Sequence, residues 1–299
     1  MIKRIIYIGS PAKLYIKNCQ LIIENTETGV VDTVPAEDIF SVEIDHYQVL
    51  ITSYALSFFM ANKICLVVSD KCHLPAGVML PLEANSLQAL RMRQQTEAPG
   101  PLLKNLWKTV VKFKIRNQAL LLRKCGQDCE RLLQIESSVK SGDTGNAEAK
   151  AARYYWQNLF GGIKGFRRDP DGDYPNCLLN YGYSIMRSLA AREIAAAGLH
   201  PSLGIFHKNQ YNAYCLADDI MEPLRPFVDE LALSIACTPG RDYVSVRRQD
   251  KEEMLGLMFK LVRFRDETKT IINAVQNICN DLAVSYESKE SRICYPLLE

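Results

Sequence analysis

Hydrophobic periodicity changes character once along this chain, near residue 80, and that change limits what the chain can fold into. Before it, short runs rich in Val, Ile and Tyr alternate with turn residues: RIIYIG, KLYIKNCQLIIENT, GVVDTVPAEDI, FSVEID and ICLVVSD. Such runs read as strands, because branched and aromatic side chains suit a pleated, half-buried surface. KLYIKNCQLIIE carries a hairpin pattern with Lys17-Asn18-Cys19-Gln20 at its tip. Thr52-Ser53 is placed to cap a short helix, SYALSFFMANK, ahead of a strand over 64–69. Pro75, Gly77 and Pro81 then punctuate a boundary. Beyond it, LEANSLQALRMRQQTEA, PLLKNLWKTVVKFKIRNQALLLRKCG, QDCERLLQIESSVKS, AEAKAARYYWQNLFG and LLNYGYSIMRSLAAREIAAAGL all carry helical spacing. CLADDIMEPLRPFVDELALSIA and the mixed-charge tail from Asp250 continue it. The expected class is α+β: a small β-sandwich-like domain over 1–80, then a larger all-helical domain over 81–299. The first domain shows no convergent polar cluster and reads as a scaffold or dimer surface.

Composition narrows the setting. The chain is 47% hydrophobic and 23% charged, as in an ordinary globular protein. Its ten cysteines are scattered without a CxxC pair, which suits reduced thiols in the cytoplasm. Cys65, Cys72 and His73 resemble half a zinc site, but no second pair follows. The opening MIKRIIYIGSP breaks at Gly9-Ser10-Pro11, too early for a signal peptide. No apolar run reaches membrane-spanning length, so no membrane partner is expected. Residues 1–80 hold six Lys/Arg against eight Asp/Glu, and the remainder 30 against 26. A second half that is locally basic around a few acids permits a polyanion partner without demanding one.

Three places in that second half carry chemistry. Leu103, Trp107, Val110, Val111 and Ile115 form one stripe, while Lys104, Lys108 and Lys112 recur on another face with Lys114 and Arg116 nearby. Read alone, the lysines are a solvated surface; beside a phosphodiester site they would track a DNA backbone. Glu148 sits in the first turns of a helix that follows the break SGDTGN, and Arg153, Lys164, Arg167 and Arg168 come after it. Past a helix that ends at Gly198, SLGIFHK supplies His207, and LADDIMEPLRP supplies Asp218, Asp219 and Glu222. Asp219 and Glu222 share a helical face, in apolar surroundings that a solvated acid pair does not need. Carboxylates with one imidazole suit Mg²⁺ or Mn²⁺ better than zinc. A cation held this way can activate a hydroxyl and stabilise charge on a phosphate. His46, His73 and His200 are isolated and read as packed or surface residues.

LNYGYSIMRSLAAREIAAAGLHPSLGIFH followed by LADDIMEPLRP strongly resembles the CRISPR-associated adaptation integrases, the spacer-acquisition enzymes. NAEAKAARYYW resembles their first acidic motif, and IYIGSPAKLYIKNCQLII their N-terminal strand pair. The Asn-Tyr-Gly-Tyr helix and the short His-to-acid spacing look most like the type II subtype. The resemblance implies a metal site of Glu148, His207 and Glu222, with Asp219 as ligand or support; the doubled Asp leaves Asp218 in play. Lys208 and Arg225 become phosphate contacts. The implied chemistry is metal-dependent transesterification, in which the 3′-hydroxyl of a short DNA fragment attacks a phosphodiester of the CRISPR repeat. The implied partners are double-stranded DNA, a second copy joined through the β domain, and a small second adaptation protein in a heterohexamer. The RNA-guided effector nuclease and a ring-shaped accessory adaptation protein are further implied partners. A metal-dependent nuclease on branched DNA and a non-catalytic DNA-bridging scaffold are the alternatives.

Overall fold

The computed structural model describes residues 4–71, 73, 75–163, 165–238 and 245–299. The chain divides into two compact units, 1–86 and 87–299.

The first unit holds two four-stranded sheets. In chain order the elements are β1 Arg4–Ile8, β2 Ala12–Lys17, β3 Gln20–Asn25, β4 Val31–Pro35, β5 Ile39–Ile44, β6 Val49–Ile51, α1 Ser53–Ala61, β7 Cys65–Ser69 and β8 Pro75–Met79. One sheet runs β1-β5-β7-β8 and the other β4-β3-β2-β6. The β2–β3 hairpin closes with Lys17 opposite Gln20, and Asn18 and Cys19 both take positive φ (51° and 57°). A two-residue turn with both central residues left-handed matches the strand twist, and asparagine tolerates it well. Thr52 caps α1 by accepting a hydrogen bond from the Ala55 amide. Leu14, Leu21, Val42, Phe59 and Leu66 join one buried cluster drawn from both sheets and α1. Two strands depart from the sequence expectation. β6 is only three residues long, and β8 contains Pro75 and Gly77, which read as a boundary. β8 lies at a sheet edge and opens on its proline, where a missing N–H is tolerated.

The second unit is built from α2 Gln88–Thr96, α3 Gly100–Lys124, α4 Glu130–Ser137, α5 Ala147–Leu159, α6 Asn176–Ala196, α7 Cys215–Met221, α8 Arg225–Ala236, α9 Arg248–Gly256, β9 Leu261–Phe264, β10 Glu267–Thr270 and α10 Ile271–Ser288. α3 is its spine. Pro101 sits in the first turn, where its lost N–H has no partner to miss, and a buried stripe runs from Leu102 to Leu122. α4, α5, α7 and α8 all lie against it. α6 ends before Gly198, whose φ of +71° suits the left-handed position after a helix. The tail is not wholly helical: β9 and β10 form an antiparallel hairpin, with Arg265 at positive φ in its turn. Burial alternates along Leu261–Phe264, as in a strand with one covered face. Among the described residues, no helix is long and apolar enough to cross a membrane.

Candidate active site

Glu148 is positioned by the break that precedes α5. The Asp143 carboxylate accepts hydrogen bonds from the Ala147 and Glu148 amides, at 2.8 and 3.1 Å. It thus satisfies two of the donors that a helix start leaves open. Glu148 then reaches α3, where its Oε1 accepts from Lys114 Nζ at 2.6 Å.

Glu222 arrives from the other side. Pro223 and Pro226 interrupt the segment, so α7 stops at Met221 and a 3₁₀ turn, Glu222–Leu224, links it to α8. The Glu222 carboxylate is buried and is gripped by two cations. Its Oε1 accepts from Arg225 Nε at 2.8 Å, and its Oε2 lies 2.6 Å from Lys114 Nζ. The Lys114 contact is an ion pair without hydrogen-bond alignment, so Oε2 stays a buried oxygen with no hydrogen bond among the described residues. Burial alone would raise the Glu222 pKa, but Arg225 and Lys114 outweigh it and hold the group at about 2. Burial likewise opposes the charge on Lys114, and Glu222 and Glu148 more than restore it. One ammonium therefore lies between two carboxylates, one from α5 and one from the α7–α8 junction.

The histidine stands on a separate support. His207 Nδ1 is 2.5 Å from Asp219 Oδ1. Asp219 is fully buried, and its Oδ2 also accepts from the Phe206 amide at 2.9 Å. The loop comes this close to α7 at Gly204, where a Cβ would lie 2.3 Å from the His207 carbonyl and 2.9 Å from Asp219 Oδ2. Trp107 of α3 stacks on Phe206, centroids 4.4 Å apart, and meets the His207 ring edge-on at 5.7 Å. The hydrogen bond to Asp219 raises the His207 pKa against partial burial, and Glu222 and Glu148 add to the rise. All three acids thus lie within electrostatic range of the imidazole. Burial pushes the Asp219 carboxyl up, opposed by its hydrogen bonds from His207 and Phe206.

The donor chemistry fits a hard divalent cation. Two carboxylates already share one cationic head, and a third orients the nearby imidazole through Nδ1, the usual support of a metal-bound histidine. Among the described residues, however, no three His, Cys, Asp or Glu side chains converge as a ready-made metal cage. Lys114 stands where the two glutamates meet.

The family model described as CRISPR associated protein Cas1 matches residues 6–239. The chain belongs to the Cas1 family. The CRISPR-associated endonuclease Cas1 of Neisseria meningitidis serogroup C is 39% identical over 228 residues, 76% of this chain and 73% of that protein. A CRISPR-associated endonuclease Cas1 of Saccharolobus solfataricus is 26% identical and covers 94% of both chains. In fold, a casposase bound to integration product matches with a TM-score of 0.81 at 20% identity, over 98% of this chain and 92% of its own. A Cas1 protein from Thermotoga maritima matches with a TM-score of 0.78 at 16% identity, over 97% and 99%.

The remaining sequence candidates of this Cas1 chain separate by environment. The Asp doublet divides cleanly: Asp219 faces His207, whereas Asp218 accepts from Arg187 Nε and the Asn212 amide group, both at 2.7 Å. Lys104, Arg153, Arg167 and Lys208 are exposed, and Lys108 and Lys112 are half-buried. Arg225 is tied to Glu222 and lies over the Tyr183 ring at 4.4 Å, so it is committed within the protein. Arg168 is similarly held by Asn176 and Asn180. Cys72 and Lys164 lie outside the described residues. His73 pairs with Asp45 at 2.8 Å, and His200 with Ser202 at 2.7 Å. Sequence reasoning left Lys114 among surface lysines and gave no role to Asp229. Buried Asp229 accepts from the Tyr155 and Tyr183 hydroxyls, joining α8 to α5 and α6.

Proposed function

We propose that this Cas1 protein is a cytoplasmic, metal-dependent integrase that joins the 3′-hydroxyl ends of short DNA fragments into the CRISPR repeat. The observation that carries this reading is the pair of glutamates, Glu148 and Glu222, drawn together on one cation beside an imidazole oriented by Asp219. Glu148, Glu222 and His207 would hold Mg²⁺ or Mn²⁺. A divalent cation bound there supplies Lewis-acid stabilisation of a phosphorane and a lowered pKa for the attacking hydroxyl.

The residues do the rest. Asp219 fixes the tautomer: with its carboxylate ionised, the shared proton sits on His207 Nδ1 and Nε2 is left for a ligand or a moving proton. Arg225 keeps Glu222 ionised from behind. The exposed Lys208, Arg167, Arg153 and Lys104 offer phosphate contacts on the same compact unit. Transesterification conserves the number of phosphodiester bonds, so no nucleotide energy source is needed. The names of relatives point the same way: curated relatives are called CRISPR-associated endonucleases, one fold neighbour is a casposase bound to integration product, and another belongs to a Cas6-RT-Cas1–Cas2 complex. A second Cas1 copy and a small Cas2-like protein are the partners this reading includes.

The test combines purified protein, Mn²⁺, a fluorescent duplex with 3′-hydroxyl ends, a plasmid carrying a leader and repeat, and the small adaptation partner. Label joined to plasmid by the wild type and lost in His207→Ala and Glu222→Ala is the expected result. Cut DNA without joined product would favour a nuclease on branched DNA. Binding with neither reaction, unaffected by Glu148→Ala, would favour a DNA-bridging scaffold.

A further inference from the structure

Lys114 is the one site cation that sequence pattern gave no reason to separate from its neighbours. Lys104, Lys108 and Lys112 recur at four-residue spacing, and Lys114 is two residues out of step with them. On a helix of 3.6 residues per turn, that offset turns it to another face. It lies seven residues, about two turns, beyond Trp107, which touches Phe206 and His207. Its side chain is only 12% exposed, and its ammonium contacts carboxylate oxygens of both Glu148 and Glu222 at 2.6 Å.

These two contacts pose a problem of charge. Two carboxylates that must be ionised to take a divalent cation repel each other when no such cation is bound. Glu222 is buried, and an uncompensated buried charge is costly. An ammonium between the two removes that repulsion with one positive charge. It also uses the oxygens that a divalent cation would need. Resting on the metal-centre reading above, we propose that Lys114 is a resident counter-ion of the site. It holds Glu148 and Glu222 in place in the metal-free protein and gives up its contacts to both when a divalent cation binds. Lysine suits this exchange better than arginine: its head is a compact point charge on a flexible four-carbon stem, not a planar fork locked into paired hydrogen bonds. Arg225, which does grip Glu222 through its guanidinium and lies over Tyr183, is the fixed cation of the same centre. The two basic residues thus have different tasks: one stays, the other yields.

The consequence is competition with a definite sign. Lys114→Met keeps the length and apolar stem but removes the charge. The metal-free variant should melt at a lower temperature than wild type. It should bind Mn²⁺ about tenfold more tightly, because no ammonium must be displaced, so Mn²⁺ should raise its melting temperature by more. Calorimetric titration with Mn²⁺, electron paramagnetic resonance of the free ion and thermal melts read these quantities without any DNA reaction. Glu222→Ala serves as the control for the site itself.

Wild-type Mn²⁺ binding that is absent, or that survives in Glu222→Ala, overturns the metal centre and this proposal with it. Binding that Glu222→Ala abolishes, but that Lys114→Met leaves unchanged or weakens, overturns the role of Lys114 alone. A Lys114→Met chain that is unfolded without metal should fold when Mn²⁺ is added, because the divalent cation replaces the missing charge. Failure to fold with Mn²⁺ present counts against the proposal. Lys114→Arg, which retains the charge, should stay folded without metal and bind Mn²⁺ no more tightly than wild type; tenfold tighter binding there would overturn the argument from charge.

Discussion

At the residue scale, the site is a set of side chains whose charges are held by others. His207 was legible in the sequence because histidine is rare in this chain and this one falls fifteen residues before Glu222, across a loop. Asp219 was favoured over Asp218 on spacing to Glu222. The structure gives a different reason to separate them: Asp219 meets the His207 ring, and Asp218 meets Arg187. Lys114 was not legible. A lysine on an amphipathic helix reads as solvated surface, and only packing of α5 and the α7–α8 junction against α3 brings two glutamates to it. The weight of the His207 support is testable. Asp219→Asn keeps the shape but removes the charge that fixes the Nδ1 proton. Losing such a partner of a metal-binding histidine commonly costs 10–100-fold in activity or metal affinity, roughly the loss expected here. Single-turnover joining should fall by that amount while DNA binding stays near wild type. A variant that joins at the wild-type rate would deny Asp219 its orienting task.

At the element scale, long helices were readable from their 3.6-residue period, because each buries one stripe. Among the short strands, β1 and β7 were readable from their branched residues, whereas β6 has only three residues, β9 and β10 interleave charged side chains such as Arg263 and Lys269, and Pro75 disguised β8. Pro223 and Pro226 mark a helix start or a kink in the sequence itself. What the break does shows only in the fold: it lets α7 carry Asp219 toward His207 while Glu222 turns toward α3. α8 is in turn fastened to α5 and α6 through Asp229 and the hydroxyls of Tyr155 and Tyr183. Burial raises the Asp229 pKa to about 6, against the two tyrosine hydrogen bonds. In an unfolded chain the same group titrates near 3.9. Between these values the folded state holds more protons than the unfolded state, so this group makes stability fall as pH rises from about 4 to about 6, then level off. The span corresponds to about 3 kcal/mol at most. Urea midpoints of wild type and Asp229→Asn across pH 4–7 should therefore converge toward pH 4 in a way that exposes this slope in the wild type alone. Parallel profiles would remove Asp229 as its source.

At the scale of the whole molecule, the division into a sheet-rich unit and a helical unit followed from periodicity, since period 2 and period 3.6 cannot serve the same backbone. Net charge was less informative. A formal charge of +2 conceals basic residues in two quite different conditions. Arg225, Arg168 and Lys114 are engaged by the protein itself, while Lys208, Arg167, Arg153 and Lys104 are exposed. Sequence treats both groups alike, because engagement depends on what other elements bring near. If the exposed group meets phosphates, each contact releases counterions on binding, and removing one should lower the slope of log affinity against log salt by about one. Lys208→Ala and Arg167→Ala should do so and leave thermal stability close to wild type. Arg168→Ala should instead lower the melting temperature, because Asn176 and Asn180 each lose one hydrogen-bond partner, with little change in salt slope. Fluorescence anisotropy on a labelled duplex between low and physiological salt, beside thermal melts, measures both. An unchanged slope for Lys208→Ala and Arg167→Ala would move the DNA path away from the His207 loop and the α5–α6 connection, and with it the face on which the repeat is met.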